Sequence, residues 1–217
     1  MKTVLSLTTG TALLLTSALQ SNAAIAYGIP AGTAGTQAYD GALGNDFDVI
    51  SATGISVTRL GVFDDLSDGL NLATNTTITV GIFDRATAAL VGTSLTFTGS
   101  DGSLEDGSRF ITLVSPIILP AGFEGSIVAQ GYNGAERNGN VGTGSTAGTT
   151  DDGGGAISFV GDSRFGPGGV FAYPTSVDGG PANRYHAGNF DYDIIPEPSS
   201  LALLLGAFGF FGLRRRR

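Results

Sequence analysis

The chain has 217 residues and a mean hydropathy of +0.21, which suits one globular domain with short appendages. It contains no cysteine, so disulfides and cysteine-ligated metals are excluded. Between Ala24 and Ile195 there are 18 acidic and six basic residues, which gives a net charge of −12. Because nucleic acid binding requires a basic face, this balance excludes a nucleic acid partner and favours divalent cations or neutral sugars.

Residues 1–26 have the order of parts that is typical of a secretory signal peptide. Lys2 is followed by an apolar stretch over 4–19, and small residues then form two cleavage signals, one ending at Ala23 and one at Ala26. We therefore predict export and cleavage by signal peptidase, with a buried N-terminal helix as the alternative.

The middle of the chain, 27–194, predicts an all-β fold, namely a jelly-roll-like β-sandwich. Runs of β-branched and aromatic residues alternate with Gly, Asp and Asn turns at short spacing, without clear helical periodicity. In "TITVGIF", Ile78, Val80 and Ile82 fall on one face, as in a half-buried strand. The predicted strands cover 46–50, 55–63, 76–83, 90–98, 109–115, 125–131, 156–160, 169–173 and 190–194.

Three stretches depart from regular strand patterning. The apolar parity of "ISVTRLGVF" changes near Arg59, which predicts either a bulge there or a strand buried on both faces. Pro116 and Pro120 bracket "IIL" and predict an edge strand or a bend. The tract 131–155 has nine glycines in 25 residues, and its composition favours a flexible segment over a functional surface loop.

Short motifs between residues 39 and 133 resemble a secreted bacterial domain. "DFDV" at 46–49, "VTRLGVFD" at 57–64, "VGIFD" at 80–84 and "LPAG" at 119–122 are similar to the domain of unknown function DUF4082 and its jelly-roll relatives. The resemblance implies a β-sandwich and no established activity.

Nothing in the body has the pattern of a catalytic centre. "GDSRF" at 161–165 superficially resembles the start of the GDSL hydrolase motif, but Asn183 stands where that motif has an Asp, three residues before His186. We interpret His186 as a surface or rim residue and Ser163 as non-catalytic. Seven of the 15 aspartates lie directly beside a glycine, which indicates exposed turns rather than a glycosidase pair. We predict that the protein is not an enzyme.

Two ligand sites are possible from the sequence, a calcium site and a sugar site, and each has a purely structural alternative. "DDLSDGL" starts like a calcium loop, but Leu66 offers no side-chain oxygen at position 3 and Asn75 replaces the bidentate Glu that an EF-hand has at position 12. Ca²⁺ held by Asp64, Asp65 and Asp68 is the alternative to a solvated turn, which we favour. Aromatic residues near Asn and Arg suggest a sugar-binding platform formed by Tyr173, Tyr185 and Tyr192. The alternative, which we favour, is that most of these aromatic side chains are buried in the hydrophobic core.

The C-terminus combines three features in order. Pro196-Glu197-Pro198 is followed by an apolar run over 201–213 and then by Arg214, Arg215, Arg216 and Arg217. The run would form a helix of roughly 20 Å, a marginal membrane span, and the arginines would hold its end in the cytoplasm. The three parts together resemble the PEP-CTERM sorting signal, which implies recognition and tail removal by exosortase in a bacterium that makes exopolysaccharide. A permanent tail anchor is the alternative.

The sequence thus predicts a signal peptide (1–26), a β-sandwich (27–194) and a sorting signal (195–217). We expect the protein to be tethered transiently to the inner membrane and then delivered to the cell surface or extracellular matrix. The favoured role is structural, and the alternative is a carbohydrate-binding module, with calcium as an optional cofactor and exopolysaccharide as a candidate partner.

Overall fold

The computed structural model describes residues 23–70 and 77–197. The fold is all-β, with 51% strand and 4% helix. The strands are β1 (Ala24–Ile25), β2 (Tyr27–Gly28), β3 (Ala42–Val49), β4 (Ile55–Phe63), β5 (Thr77–Asp84), β6 (Leu90–Thr98), β7 (Ser103–Glu105), β8 (Ser108–Leu119), β9 (Glu124–Gln130), β10 (Gly139–Asn140), β11 (Thr149–Thr150), β12 (Ile157–Phe165), β13 (Ser176–Asp178), β14 (Tyr185–His186) and β15 (Gly188–Ile194).

Two antiparallel sheets enclose the main hydrophobic core. The five-stranded sheet has the order β1-β15-β4-β8-β7, and the six-stranded sheet has the order β13-β12-β3-β9-β5-β6. Inward-facing residues alternate along the regular strands, as the predicted face of Ile78, Val80 and Ile82 does in β5. Phe47 and Phe190 meet between the sheets with ring centroids 4.8 Å apart. The prediction of an all-β fold is confirmed.

The predicted bulge near Arg59 is confirmed. On β15 the register moves from Asp191 opposite Arg59 to Tyr192 opposite Val57, so Thr58 is the extra residue of β4. This extra residue brings both apolar sets of β4 to the core side, although their spacing in the sequence has opposite parity. The bulge therefore explains the irregular pattern of "ISVTRLGVF".

Several elements differ from the sequence prediction. Residues 169–173 form no strand; they cross the outer face of the six-stranded sheet, where Phe171 and Tyr173 pack against Phe83. The tract 131–155, for which the composition favoured a flexible segment, contains β10, a 3-10 helix at Val141–Thr143 and β11. Within it, Asn138 and Asn140 are buried and their side chains donate hydrogen bonds to the side-chain oxygen of Gln37 at 3.1 and 2.9 Å.

The ordered body starts earlier than position 27. Ala24 and Ile25 form β1 and pair with Tyr192 and Asp191 of β15, so the five-stranded sheet includes residues that the sequence analysis assigned to the signal peptide. No helix within 23–70 or 77–197 is long and apolar enough to cross a membrane. The predicted C-terminal helix and most of the predicted signal peptide lie outside the described residues.

Candidate functional site

The chain leaves the fold at Ile195, directly before the predicted sorting motif. The backbone N–H of Ile195 donates a hydrogen bond to the Gly54 carbonyl (3.2 Å). The hydroxyl of Thr53 donates to the Ile195 carbonyl, so both polar backbone groups of this residue are tied to the loop before β4. Within the described residues, which end at 197, the backbone hydrogen bonds of the body therefore reach to the residue directly before Pro196.

The first two motif residues, Pro196 and Glu197, are exposed. A proline at 196 has no backbone N–H, and its fixed φ disfavours a regular continuation of β15. Pro198 and the anchor arginines, Arg214 to Arg217, lie outside the described residues. The described part of the motif is thus accessible on the surface of the body.

The two predicted signal-peptide cleavage positions have different surroundings. Ala23 is exposed, whereas Ala26 is fully buried and its N–H donates to the Phe190 carbonyl at 2.9 Å. Because Ala24 pairs with Tyr192 in antiparallel β1 and β15, the entry to the fold lies at the same end of the sheet as its exit.

Asp64 of the candidate calcium loop is engaged in a buried ion pair. Its carboxylate has no exposed surface and lies 2.6 Å from Nε of Arg109. The N–H of Gly69 donates to both carboxylate oxygens, at 3.0 and 3.1 Å. Burial raises the pKa of Asp64, and the Gly69 amide and Arg109 oppose that rise. These contacts direct the carboxylate into the fold.

The other two candidate calcium ligands do not join Asp64 around a common point. Asp65 accepts hydrogen bonds from the backbone N–H of Gly35 (2.7 Å) and, at 3.3 Å, of Arg137. Asp68 is exposed. Within residues 23–70 and 77–197, no group of three or more His, Asp or Glu side chains could hold a metal ion.

The three candidate sugar-stacking tyrosines lie in different surroundings. Tyr192 and Tyr185 are core residues, 1% and 4% exposed, and their hydroxyls donate to the Asp151 carbonyl and the Asp178 carboxylate. Tyr173 is half-buried on the outside of the six-stranded sheet, with the Arg164 guanidinium 5.3 Å from its ring centroid. The structure does not bring the three rings to one groove, because two of them are buried in the core.

The outer face beside Tyr173 carries a charge cluster that the sequence analysis did not identify. Asp46 is fully buried there and lies 2.7 Å from Nε of Arg164 and 3.8 Å from Nη1 of Arg85. Arg85 also pairs with Asp48. Burial raises the pKa of Asp46, while hydrogen bonding and charge from Arg164 oppose the rise. The alternation in "DFDV" was the available signal, since it places Asp46 and Asp48 on one face of a strand.

Ser163 and His186 have separate structural partners. Ser163 is buried, donates to the side-chain oxygen of Asn45 (2.8 Å) and accepts from the Arg184 N–H (2.9 Å). His186 is 4% exposed, so its expected place at the surface or rim is wrong, and its Nε2 lies 2.7 Å from the Thr146 carbonyl oxygen. Burial lowers the pKa of His186, and the contact with this carbonyl opposes the shift. Both side chains hold loops against the sheets.

Comparison with known proteins adds evidence at the C-terminus. Residues 195–217 match the PEP-CTERM protein-sorting motif. This motif in general implies recognition by exosortase, export and a membrane-anchored intermediate. No curated protein and no solved structure matches the chain. The resemblance of the body to DUF4082 stays a prediction.

Proposed function

We propose that this protein is an exported, non-enzymatic component of the cell surface or extracellular matrix. Exosortase would recognise Pro196-Glu197-Pro198 and release the body from its membrane tail. The observation that carries this proposal is the position of the matched motif: it begins where the fold ends at Ile195, and its first residues are exposed. A processing enzyme could reach the motif without unfolding either sheet.

The N-terminal boundary supports signal-peptide cleavage after Ala23. Cleavage there leaves β1 intact and leaves the buried Ala26 N–H paired with Phe190. Cleavage after Ala26 would remove β1 from the edge of the five-stranded sheet and expose part of β15. The exposed position at Ala23 is also the one that a peptidase can still reach once the body has folded, since Ala26 is buried.

The strand order supports the jelly-roll interpretation of the body. The runs β1-β15-β4-β8 and β3-β9-β5-β6 correspond to the two four-stranded sheets of a jelly roll, with β12 and β13 added beside β3 and β7 added beside β8. In this scheme β1 is the first strand of the sandwich. A mature chain that lacked β1 would lack one of the eight strands.

The entry and exit of the body support its orientation on the membrane. Since β1 and β15 are antiparallel neighbours, the signal peptide and the sorting tail would leave the same end of the sandwich. Both segments could therefore lie in one membrane while the body folds outside it. The opposite end would point away from the membrane.

A structural role is favoured over carbohydrate binding by the burial of the aromatic residues. Tyr185 and Tyr192 are in the core, so a sugar platform would depend on Tyr173, whose ring already packs against Phe83 and Arg164. Sugar platforms need exposed ring faces, and this ring offers a half-buried one. Exopolysaccharide remains a candidate neighbour of the processed protein rather than an assigned ligand.

The proposal is tested by substituting the sorting motif in the native host. We expect Glu197→Ala to keep the protein in the membrane fraction, whereas the wild type is released to the surface or medium. Glu124→Ala is the matched control, because Glu124 is a 62% exposed side chain on β9, remote in sequence from the motif. Equal release of Glu197→Ala and the wild type would overturn the proposal.

A further inference from the structure

The edge strands of the two sheets meet along one side of the body. β6 ends the six-stranded sheet, and it contacts β8 of the five-stranded sheet across the core. Gly92 of β6 lies so close to Ile117 of β8 that an added Cβ would stand 2.8 Å from its side chain. β7 pairs with β8 only at 108–110, so the rest of β8 has one strand partner, β4, among the described residues.

A groove of about 690 Å³ runs along this side between the two strands. It is lined largely by apolar side chains from both strands, namely Val91, Leu95, Ile111, Leu113, Ile117 and Ile118. We call residues 91–95 and 111–118 the β6–β8 surface. Val114 and Ile118 within it are 104% and 57% exposed, so this apolar surface is in contact with solvent.

The β6–β8 surface is also without charge. The stretches 86–100 and 110–123 contain no ionisable side chain, in a body whose net charge between Ala24 and Ile195 is −12. Two copies of such a body repel each other wherever their acidic surfaces meet. The approach with least repulsion brings these neutral stretches together.

The shape of the surface makes it self-complementary. Val57 of β4 pairs with Ile117 and Arg59 pairs with Thr112, so residues 113–116 bulge out of β8 and hold Val114 clear of the body. The bulge thus places a protruding apolar side chain beside an apolar groove on the same surface. A two-fold contact lets the Val114 of each copy enter the groove of the other copy, as an isologous interface requires.

The contact is expected to be made by side chains rather than by strand addition. The 113–116 bulge and Pro116 interrupt the free edge of β8, and the register of β6 is irregular over 92–94, where Gly92 has a φ of +71°. Such irregularities at sheet edges prevent continuous pairing with another strand. A closed pair is therefore favoured over an open-ended fibre.

We propose that the β6–β8 surface is a self-association interface, on which a second copy of this chain docks with two-fold symmetry. The proposal goes beyond sorting, because it concerns the sides of β6 and β8, whereas the exit at Ile195 is bonded to the loop before β4. Processing of the tail should not depend on it.

The test is sedimentation velocity of the processed protein, purified from its host, over a series of concentrations. We expect the wild type to form dimers, and Val114→Asp to weaken the dimer by about tenfold or more, because a charge would be buried in an apolar groove. Ile118→Asp is a second variant on the same surface. Val170→Asp is the matched control, since Val170 is 87% exposed in the loop between β12 and β13.

We expect the wild type and Val170→Asp to dimerise with equal affinity. Both should dimerise more tightly than Val114→Asp and Ile118→Asp. Added salt should strengthen the wild-type dimer, because it screens the repulsion between acidic copies. A monomeric wild type at all concentrations would overturn the proposal, as would dimers of Val114→Asp and Ile118→Asp with wild-type affinity.

Discussion

The outer face of the six-stranded sheet and the β6–β8 surface belong to the same body, yet they differ completely in charge. On the outer face, the buried carboxylate of Asp46 lies between Arg164 and Arg85, and aromatic rings from 169–173 cover the neighbouring apolar side chains. On the β6–β8 surface there are no charges, and apolar side chains remain exposed. The difference indicates that buried charges here serve the fold, whereas the neutral surface is open to a partner.

The largest expected effect comes from breaking a buried ion pair. Arg109→Ala leaves the carboxylate of Asp64 buried without its cation, so we expect the free energy of unfolding to fall by about 3–5 kcal/mol. Urea denaturation monitored by circular dichroism measures this change. Asp64→Asn combined with Arg109→Ala should recover part of the loss, because it leaves no lone charge in the interior.

Arg137→Ala is the control for that experiment. Arg137 is exposed, so its removal should change the free energy of unfolding by no more than about 0.5 kcal/mol. If Arg109→Ala were as stable as Arg137→Ala, the structural role assigned to the buried pair would be wrong.

A smaller effect is expected from acid. Burial lowers the pKa of His186 in the folded protein. Below about pH 6.5 the imidazole is therefore protonated more readily in the unfolded chain than in the folded protein. Stability should therefore fall as the pH decreases through this range. The decrease should be shallower in His186→Gln, which removes the titrating group; equal slopes for Tm against pH would show that His186 does not contribute.

The smallest effect on stability is expected on the β6–β8 surface. Val114 is fully exposed, so Val114→Asp should leave the free energy of unfolding of the monomer within about 0.5 kcal/mol of the wild type. Unfolding at a concentration below the dimer range measures this directly. A large loss of stability would mean that Val114 supports the fold, and would remove the contrast between the two regions.

Local patterns in the sequence predicted much of the fold. The alternation around Val80 located β5, and the change of parity at Arg59 located the bulge of β4, because both depend only on neighbouring residues. The sorting motif could also be predicted from the sequence, since its three parts are contiguous.

The rest of the fold depends on contacts between distant segments. Asn140 is buried because Gln37, more than 100 residues away, satisfies its side chain, and composition alone made this tract look flexible. Tyr185 and Tyr192 have both an apolar ring and a polar hydroxyl, so sequence could not decide between core and surface. The neutral β6–β8 surface became visible only when the packing of the two sheets placed β6 beside β8.

The central claim is that two cleavages release an intact body, and the intact mass of the protein recovered from its native host tests it most directly. The account predicts a chain that begins at Ala24 and ends at or near Pro198, without the arginine tail. A mass that includes Arg214 to Arg217 would contradict release by exosortase and would make this a permanently anchored surface protein.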